Sequence, residues 1–377
     1  MEFDFSSDQK QLKEQVRRFL ADRCDRNAVR AVLDGPQSHD AELWRALGEL
    51  GYLGASIPEA YGGLGAGYLE ACVIAEELGR AVAPVPWSSS IALAAECLML
   101  VGTEAQKTAR LPGLAAGRSI ATLALAEAPG RVGPGSVSTL ATDRAGAVSV
   151  SGVKLAVADG DIADFAVVAA TDKPGDTGLS LYLVDLAGPG VVRTPVSTID
   201  PTRSHARIEL ADAPAERLGE AGLGWRVLEK VLDRAAVLMA FEQIGGADRA
   251  LEMARDYALE RFAFGRPIGS MQAIKHMLAD MYVSATLARS NAYYAAWALS
   301  NDADELPQAA ATARVSATQA FQHCARNNIQ VHGGMGFTWQ FDCHLYYRRA
   351  NLLAVSLGAL SVWEDLLVQR LREARAA

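Results

Sequence analysis

The period of the apolar residues changes twice along this chain, and those two changes limit what it can fold into. Up to about residue 119 the spacing is helical, as in Leu12, Val16 and Phe19 of the first amphipathic stretch. From Ile120 the pattern turns to β-branched and alternating runs: IATLALAE, SVSTLATD, AVSVSGVKLAV, FAVVAAT, LSLYLVDL, VVRTPVS and ARIELADAPAERL. Gly, Pro and Asp turns separate them, and short strands so spaced predict a small β-barrel or sandwich. From Leu223 onward the helical period returns and persists. The expected fold class is therefore α+β and multidomain: an N-terminal helical domain (1–119), a middle β-barrel (120–222) and a C-terminal four-helix bundle (223–377).

Within the first third, Ser6 or Ser7 is the expected N-cap of a helix over 8–24. Further helices are expected over 42–50, closed by Gly51, and over 68–78. The small-residue stretch Ser88 to Val101 reads as a buried helix. A short helix beginning at 102–104 is expected to end before Pro112. The bundle segments are read as 224–260, 270–300, 307–331 and 343–376, with Pro307 in a first helical position.

Composition excludes several roles. A net charge of −8 disfavours nucleic acid or an acidic membrane surface as the main partner. No apolar run is long enough to span a bilayer. The polar start MEFDFSSDQKQ is no secretory signal. The five cysteines are scattered, without metal-ligand spacing or a disulfide framework, which points to reduced thiols and a cytoplasmic location.

Two stretches carry chemistry. Arg261 to Gln272 reads RFAFGRPIGSMQ, and Asn327 to Ala350 reads NNIQVHGGMGFTWQFDCHLYYRRA. Glycines as close as Gly333, Gly334 and Gly336 let a backbone approach another body, either a helix or the phosphates of a cofactor. The paired patterns R-x-x-F-G with a downstream Gln, then Q-x-x-G-G-x-G, resemble the acyl-CoA dehydrogenase family of flavoproteins. LGYLGASIPEAYGGLG (Leu50 to Gly65) and LPGLAAGRSIATLALAE (Leu111 to Glu127) extend the resemblance over the whole length.

The resemblance implies an acyl-CoA substrate, FAD, and α,β-dehydrogenation in which a carboxylate removes the α-proton. It implies that Arg261, Phe264, Gln272, Gln330, Gly333 and Gly334 contact the adenosine and pyrophosphate end of a flavin bound mainly by a neighbouring subunit. On the ring side the family's T-E-P-x-x-G-S-D loop is matched by AEAPGRVGPGS, which keeps Glu127, Gly135 and Ser136 but has Ala126 for the threonine. The next strand offers Ala156 and Ala158 where the family carries Trp and Thr. The usual base position falls on Leu357, followed by Gly358 and Ala359, and the alternate position falls on Ala235.

Glu242 is the acidic residue left on that helix, two turns and about 10 Å beyond Ala235. Set after the apolar run AAVLMAF, it is either a base with a raised pKa or a glutamate at the solvent or subunit boundary, where an arginine could pair with it. His332 reads as a packed or solvent-facing residue, Trp339 and Tyr346 as core or interface aromatics, and Asp233-Arg234 as a surface pair or a contact to the acyl-CoA tail.

What a subunit lends to its neighbour's flavin is kept, and what it needs for its own is degraded. The sequence is therefore identified as similar to the base-lacking subunit of actinobacterial heteromeric acyl-CoA dehydrogenases acting on bulky thioesters such as steroid side chains. That resemblance implies a homologous partner subunit in a heterotetramer, and an electron-transferring flavoprotein as acceptor. Two alternatives stay open: a homomeric enzyme with Glu242 as base, and a non-catalytic acyl-CoA or protein-binding scaffold.

Overall fold

The structure is a computed structural model and describes residues 5–173, 175 and 178–376. The first four residues of the polar N-terminal stretch lie outside the described residues. By contacts, the chain divides into one compact unit of residues 1–30, 68–83 and 236–377 and a second of residues 31–67 and 84–235.

The second unit holds the seven-stranded sheet. All seven apolar runs form strands: β1 (Ala121–Ala124), β2 (Leu140–Arg144), β3 (Ala147–Ala158), β4 (Phe165–Thr171), β5 (Leu179–Asp185), β6 (Val191–Pro195) and β7 (His205–Leu218). Strands β4, β2, β3, β7 and β5 pair in that order, and β5 pairs back onto β4, so the sheet closes into a barrel. Closure leaves no free edge on those five strands. Strand β1 runs parallel to β4 through Ala121–Phe165 to Ala124–Val168, just before Leu140 of β2 meets Thr171. Strand β4 is buried throughout, which is why it reads as an unbroken apolar run. Register slips between Lys154 and Val157 bulge β3, and Ala156 there takes φ 48°.

The first unit holds the bundle. Helix α1 (Ser7–Arg23) starts from Ser6 with a capping box completed by Gln9. Phe5 packs edge-on against Tyr293 at 4.8 Å and beside Phe241, pinning the chain start to the core. Helix α4 (Tyr68–Arg80) runs two residues past its expected end and is buried from Ala71 to Gly79. It meets α8 (Gly224–Glu260) backbone to backbone: a Cβ on Gly79 would stand 1.9 Å from the Glu242 carbonyl oxygen, and one on Gly245 1.9 Å from that of Glu76. From Ala235 to Ala247, α8 is buried on all sides, as a central core helix must be. Helices α9 (Gln272–Ser300) and α10 (Leu306–His332) follow as an antiparallel pair.

Several expectations are corrected. Helix α2 (Arg26–Asp34) has no counterpart in the sequence reading. Helix α3 (Ala41–Glu49) is capped by Asp40. The buried stretch is α5 (Trp87–Ser89) and α6 (Glu96–Val101) joined by a π-helical turn over Ser90–Ala95. Helix α7 (Glu104–Ala115) continues through Pro112 instead of stopping before it. Proline disfavours the helical conformation of its predecessor and leaves one carbonyl without its donor, yet here the last turn is kept by the Ala116 N–H, which donates to the Pro112 carbonyl. The final segment is two helices, α11 (Cys343–Val355) and α12 (Leu360–Ala376), bent by 49°. The bend lies where Leu357 and Gly358 take φ 60° and 101°. No single helix among the described residues is long and apolar enough to cross a membrane.

Candidate active site and cofactor contacts

The bundle motifs converge at one end of the first unit. Cys324 of α10 donates its thiol to the Met281 carbonyl of α9. Counting along the antiparallel pair from that contact, the start of α9 at Gln272 comes level with Gly333 past the end of α10. The C-terminal part of α8 arrives at the same end, because Tyr257 stacks on His332 with ring centroids 4.1 Å apart. Arg261 follows one turn later, its N–H donating to the Tyr257 carbonyl.

Arg261, Gln272 and Gln330 are exposed there. Phe264 is 95% exposed, at φ 53° in a two-strand turn, and such exposure of an aromatic ring calls for a covering body. Gly333 sits at φ 60°, and a Cβ on Gly333 or Gly334 would meet nothing within 4 Å. The strip is therefore bare backbone flanked by an arginine and two amide side chains, a donor set suited to a pyrophosphate and its adenosine.

Glu242 lies elsewhere, in the core. It is 1% exposed, and its Oε1 receives Nη1 of Arg349, also fully buried, at 3.3 Å. Arg349 donates further to the carbonyls of Val82 and Ala83, each at 3.4 Å. Next to it Gln243 Oε1 accepts Nη1 of Arg314 at 2.9 Å, and Gln243 Nε2 donates to Thr318 at 3.1 Å. The other nitrogen of Arg314 donates to the carbonyls of Leu353 and Ser356, capping α11 at the turn that contains Leu357. Burial pulls the Arg314 guanidinium down to about 9, against the opposing charge of Glu242, so it stays charged at neutral pH. Leu357 contributes only its carbonyl, which accepts Trp363 Nε1 at 3.0 Å. Glu242 is thus ion-paired with Arg349 within the core rather than set at a solvent boundary.

In the second unit, Glu127 is saturated. Its two oxygens accept the N–H and hydroxyl of Ser138 (2.6 and 2.5 Å), those of Thr139 (3.0 and 2.6 Å) and the Lys154 ammonium (2.7 Å). Burial alone would raise the Glu127 pKa, but the bonds from Lys154, Ser138 and Thr139 hold it down to about 2. Lys154 is itself buried and donates to the Ala169 carbonyl at 2.6 Å. Ser136 Oγ is turned onto its own loop, accepting from the Gly133 N–H at 2.9 Å. Ala156 and Ala158 present only methyl groups.

Measured against the needs of a flavin, the chain offers two different surfaces. The Arg261–Gln330–Gly334 strip fits the phosphate and adenosine end. The loop from Ala126 to Ser136 does not fit the ring end, since Glu127 is taken up by Ser138, Thr139 and Lys154 and the Ser136 hydroxyl by Gly133.

The remaining expectations resolve simply. His332 is buried, its Nδ1 2.8 Å from the Asn328 carbonyl, and burial lowers its pKa. Tyr346 is a core residue donating to the Arg80 carbonyl at 2.8 Å, whereas Trp339 stays 48% exposed. Asp233 is buried, not on the surface, and Arg234 bridges at 3.3 Å to Glu96, which is fully buried. Sequence reasoning missed Arg349, Arg314, Gln243 and Lys154. The visible signal was the doubled arginine of YYRRA, but the Arg349 partner is 107 positions away.

Family models described as "Acyl-CoA dehydrogenase, N-terminal domain" and "Acyl-CoA dehydrogenase, C-terminal domain" match residues 6–118 and 222–371. The acyl-CoA dehydrogenase IpdE2 of Mycobacterium tuberculosis is 34% identical over 341 residues, 90% of each chain. Among solved structures, a variant of the Tcur3481-Tcur3483 steroid ACAD is 31% identical with a TM-score of 0.89, covering 98% of this chain and 99% of its own. The ChsE4-ChsE5 complex from Mycobacterium tuberculosis is 28% identical with a TM-score of 0.89, covering 99% of each chain.

Proposed function

The chain belongs to the acyl-CoA dehydrogenase family, oxidoreductases acting on acyl-CoA, and from that premise we propose that it works as one subunit of a heteromeric dehydrogenase sharing FAD with a homologous partner. The observation that carries the reading is an asymmetry: the first unit keeps an open strip at Arg261 and Gly334, whereas in the second unit Glu127 of the ring-side loop is taken up by Lys154 of β3. Similarity to the ChsE4-ChsE5 complex and to a steroid ACAD supports a two-chain assembly and a bulky thioester such as a steroid side chain.

When bound, FAD supplies the acceptor for the hydride lost from the β-carbon. In our reading, Arg261 pairs with phosphate, Gln272 and Gln330 hydrogen-bond the nucleotide end, Phe264 covers it, and the Gly333–Gly334 backbone lies against it. Leucine at 357 takes no proton, so the α-proton goes to a carboxylate of the partner chain. Glu242 as the base of a homomeric enzyme would first have to leave Arg349, stranding a buried guanidinium. We retain three domains, 1–119, 120–222 and 223–377, a cytoplasmic location, and an electron-transferring flavoprotein as the acceptor.

The test is single-turnover reduction of flavin by substrate in the competent assembly carrying Glu242→Gln. An unchanged rate supports a base on the partner. A loss of 100-fold or more, with fold and flavin content intact, makes Glu242 the base and refutes the reading.

A further inference from the structure

The strip at Arg261 and Gly334 is built from the ends of two helices, and one buried side chain touches both ends. His332, the last residue of α10, stacks its imidazole on Tyr257 of α8, with ring centroids 4.1 Å and planes 22° apart. It meets Phe341, just before α11, at 5.6 Å and 67°, and Tyr257 meets Phe341 edge-on at 5.9 Å. The Tyr257 carbonyl accepts the Arg261 N–H at 2.8 Å, so the stack stands one turn before the arginine. On the other side Gly333 follows His332 directly and donates its N–H to the Gln330 carbonyl. The turn Gly333–Phe337 folds back onto the histidine, since a Cβ on Gly336 would stand 3.0 Å from the His332 Cβ. His332 Nδ1 lies 2.8 Å from the Asn328 carbonyl; a carbonyl only accepts, so Nδ1 carries the proton and the bond fixes the rotation of the ring. A cavity of about 620 Å³ opens beside the rings, lined by Tyr257, His332 and Phe341 with Met253 and Tyr346.

We propose that His332 is a positioning residue for the strip: its imidazole is the wedge that sets Arg261 past the end of α8 against the Gly333–Gly334 backbone past the end of α10. This role rests on the strip being the flavin's nucleotide end. Both groups lie beyond helix termini, where backbone loses its helical partners and frays. A guanidinium and a run of bare backbone serve one ligand only when they are held together to within about half an ångström. Holding them so before the ligand arrives lowers the ordering cost of binding. The open space beside the rings leaves the ring contacts themselves to set where the two ends stand. The task needs a flat ring to stack on Tyr257 and a donor that ties the ring to its own helix. Histidine supplies both, phenylalanine only the ring and asparagine only the donor. Burial lowers the His332 pKa, so the ring is neutral at neutral pH and keeps Nε2 free of a proton.

The experiment has two arms: titration of the flavin-depleted assembly with FAD, and amide hydrogen exchange of the full-length chain alone. His332→Ala weakens FAD by about three- to ten-fold, the strength of one or two ring contacts. His332→Phe regains most of that loss, and His332→Asn does not. Phe241→Leu, a core change away from the strip, lowers the melting temperature and leaves FAD affinity as in the wild type. In the chain alone, the amides of Arg261 and Gly333 exchange about ten-fold faster in His332→Ala, while that of Glu242 in the middle of α8 is unchanged. Unchanged exchange at Arg261 and Gly333 overturns the proposal. So does wild-type FAD affinity in His332→Ala where Arg261→Ala weakens it, or a loss of affinity that follows melting temperature alone across His332→Ala, His332→Phe and Phe241→Leu. Faster exchange at the strip, with wild-type FAD affinity in both His332→Ala and Arg261→Ala, counts against the flavin reading of the strip and not against the wedge.

Discussion

Glu242 and Arg349 pair at 3.3 Å with 1% and 0% of their side chains exposed, tying the middle of α8 to α11. A buried pair of this kind adds little over an apolar substitute, but removing one member leaves the other charge stranded. Arg349→Met is therefore expected to cost about 3–5 kcal/mol of stability. The double variant Glu242→Gln/Arg349→Met should recover much of that loss. Urea unfolding of the single and double variants measures the difference, and additive losses would show that the two charges do not depend on each other.

The contact of α4 with α8 leaves no room for a methyl group. Gly79→Ala and Gly245→Ala each put a Cβ 1.9 Å from a carbonyl oxygen of the facing helix, and backbone cannot yield as a side-chain tip does. Each should lose about 3 kcal/mol or fail to fold. Gly334→Ala is the control within the same chain, since its Cβ meets nothing within 4 Å. Its melting temperature should match the wild type, while flavin retention by the assembly falls, because the added methyl keeps the cofactor off the backbone.

Acid stability reports on the closed loop of the second unit. The folded Glu127 pKa, about 2, lies below its ordinary value of 4.5. Its contribution to stability is therefore complete above pH 4.5 and is lost as the pH falls toward 2. Lys154→Met removes the ammonium that holds the carboxylate ionised. The variant should be less stable at neutral pH, and its stability should depend less on pH between 4.5 and 2. Thermal melts across that range check this, and an identical acid slope in both proteins would contradict it.

How much of this was legible in the sequence follows from where each signal resides. The seven strands and the long helices were visible because their signals are local: an apolar period, a turn residue, a serine N-cap at 6 or 7. The break at Leu357 was not, because a leucine at φ 60° is unfavourable locally, and the turn is held by Arg314, 42 positions before Ser356, and by Trp363 on the next helix. Helix α7 passes through Pro112 for a similar reason, with its last turn completed by the Ala116 N–H. In the site, the spacing of Arg261, Gln330 and Gly333 was readable as a motif. The occupation of Glu242 by Arg349 and of Glu127 by Lys154 was not, since pairings over 107 and 27 positions are set by topology.

Arg261→Ala tests the proposed cofactor strip directly. Its side chain is exposed, so folding should be little affected, with a change under about 0.5 kcal/mol. Flavin retained by the assembly after desalting should drop by about ten-fold, the loss of a charge-assisted phosphate contact. Unchanged retention would remove Arg261 from the site.

The central claim, a flavin site completed only by a second chain, is tested most directly by the flavin-to-chain ratio, read from the visible spectrum and the native mass. The purified chain alone should carry little or no flavin, and co-expression with a homologous partner should give one flavin per pair of chains. A full flavin on every copy of this chain, with no partner present, would contradict it.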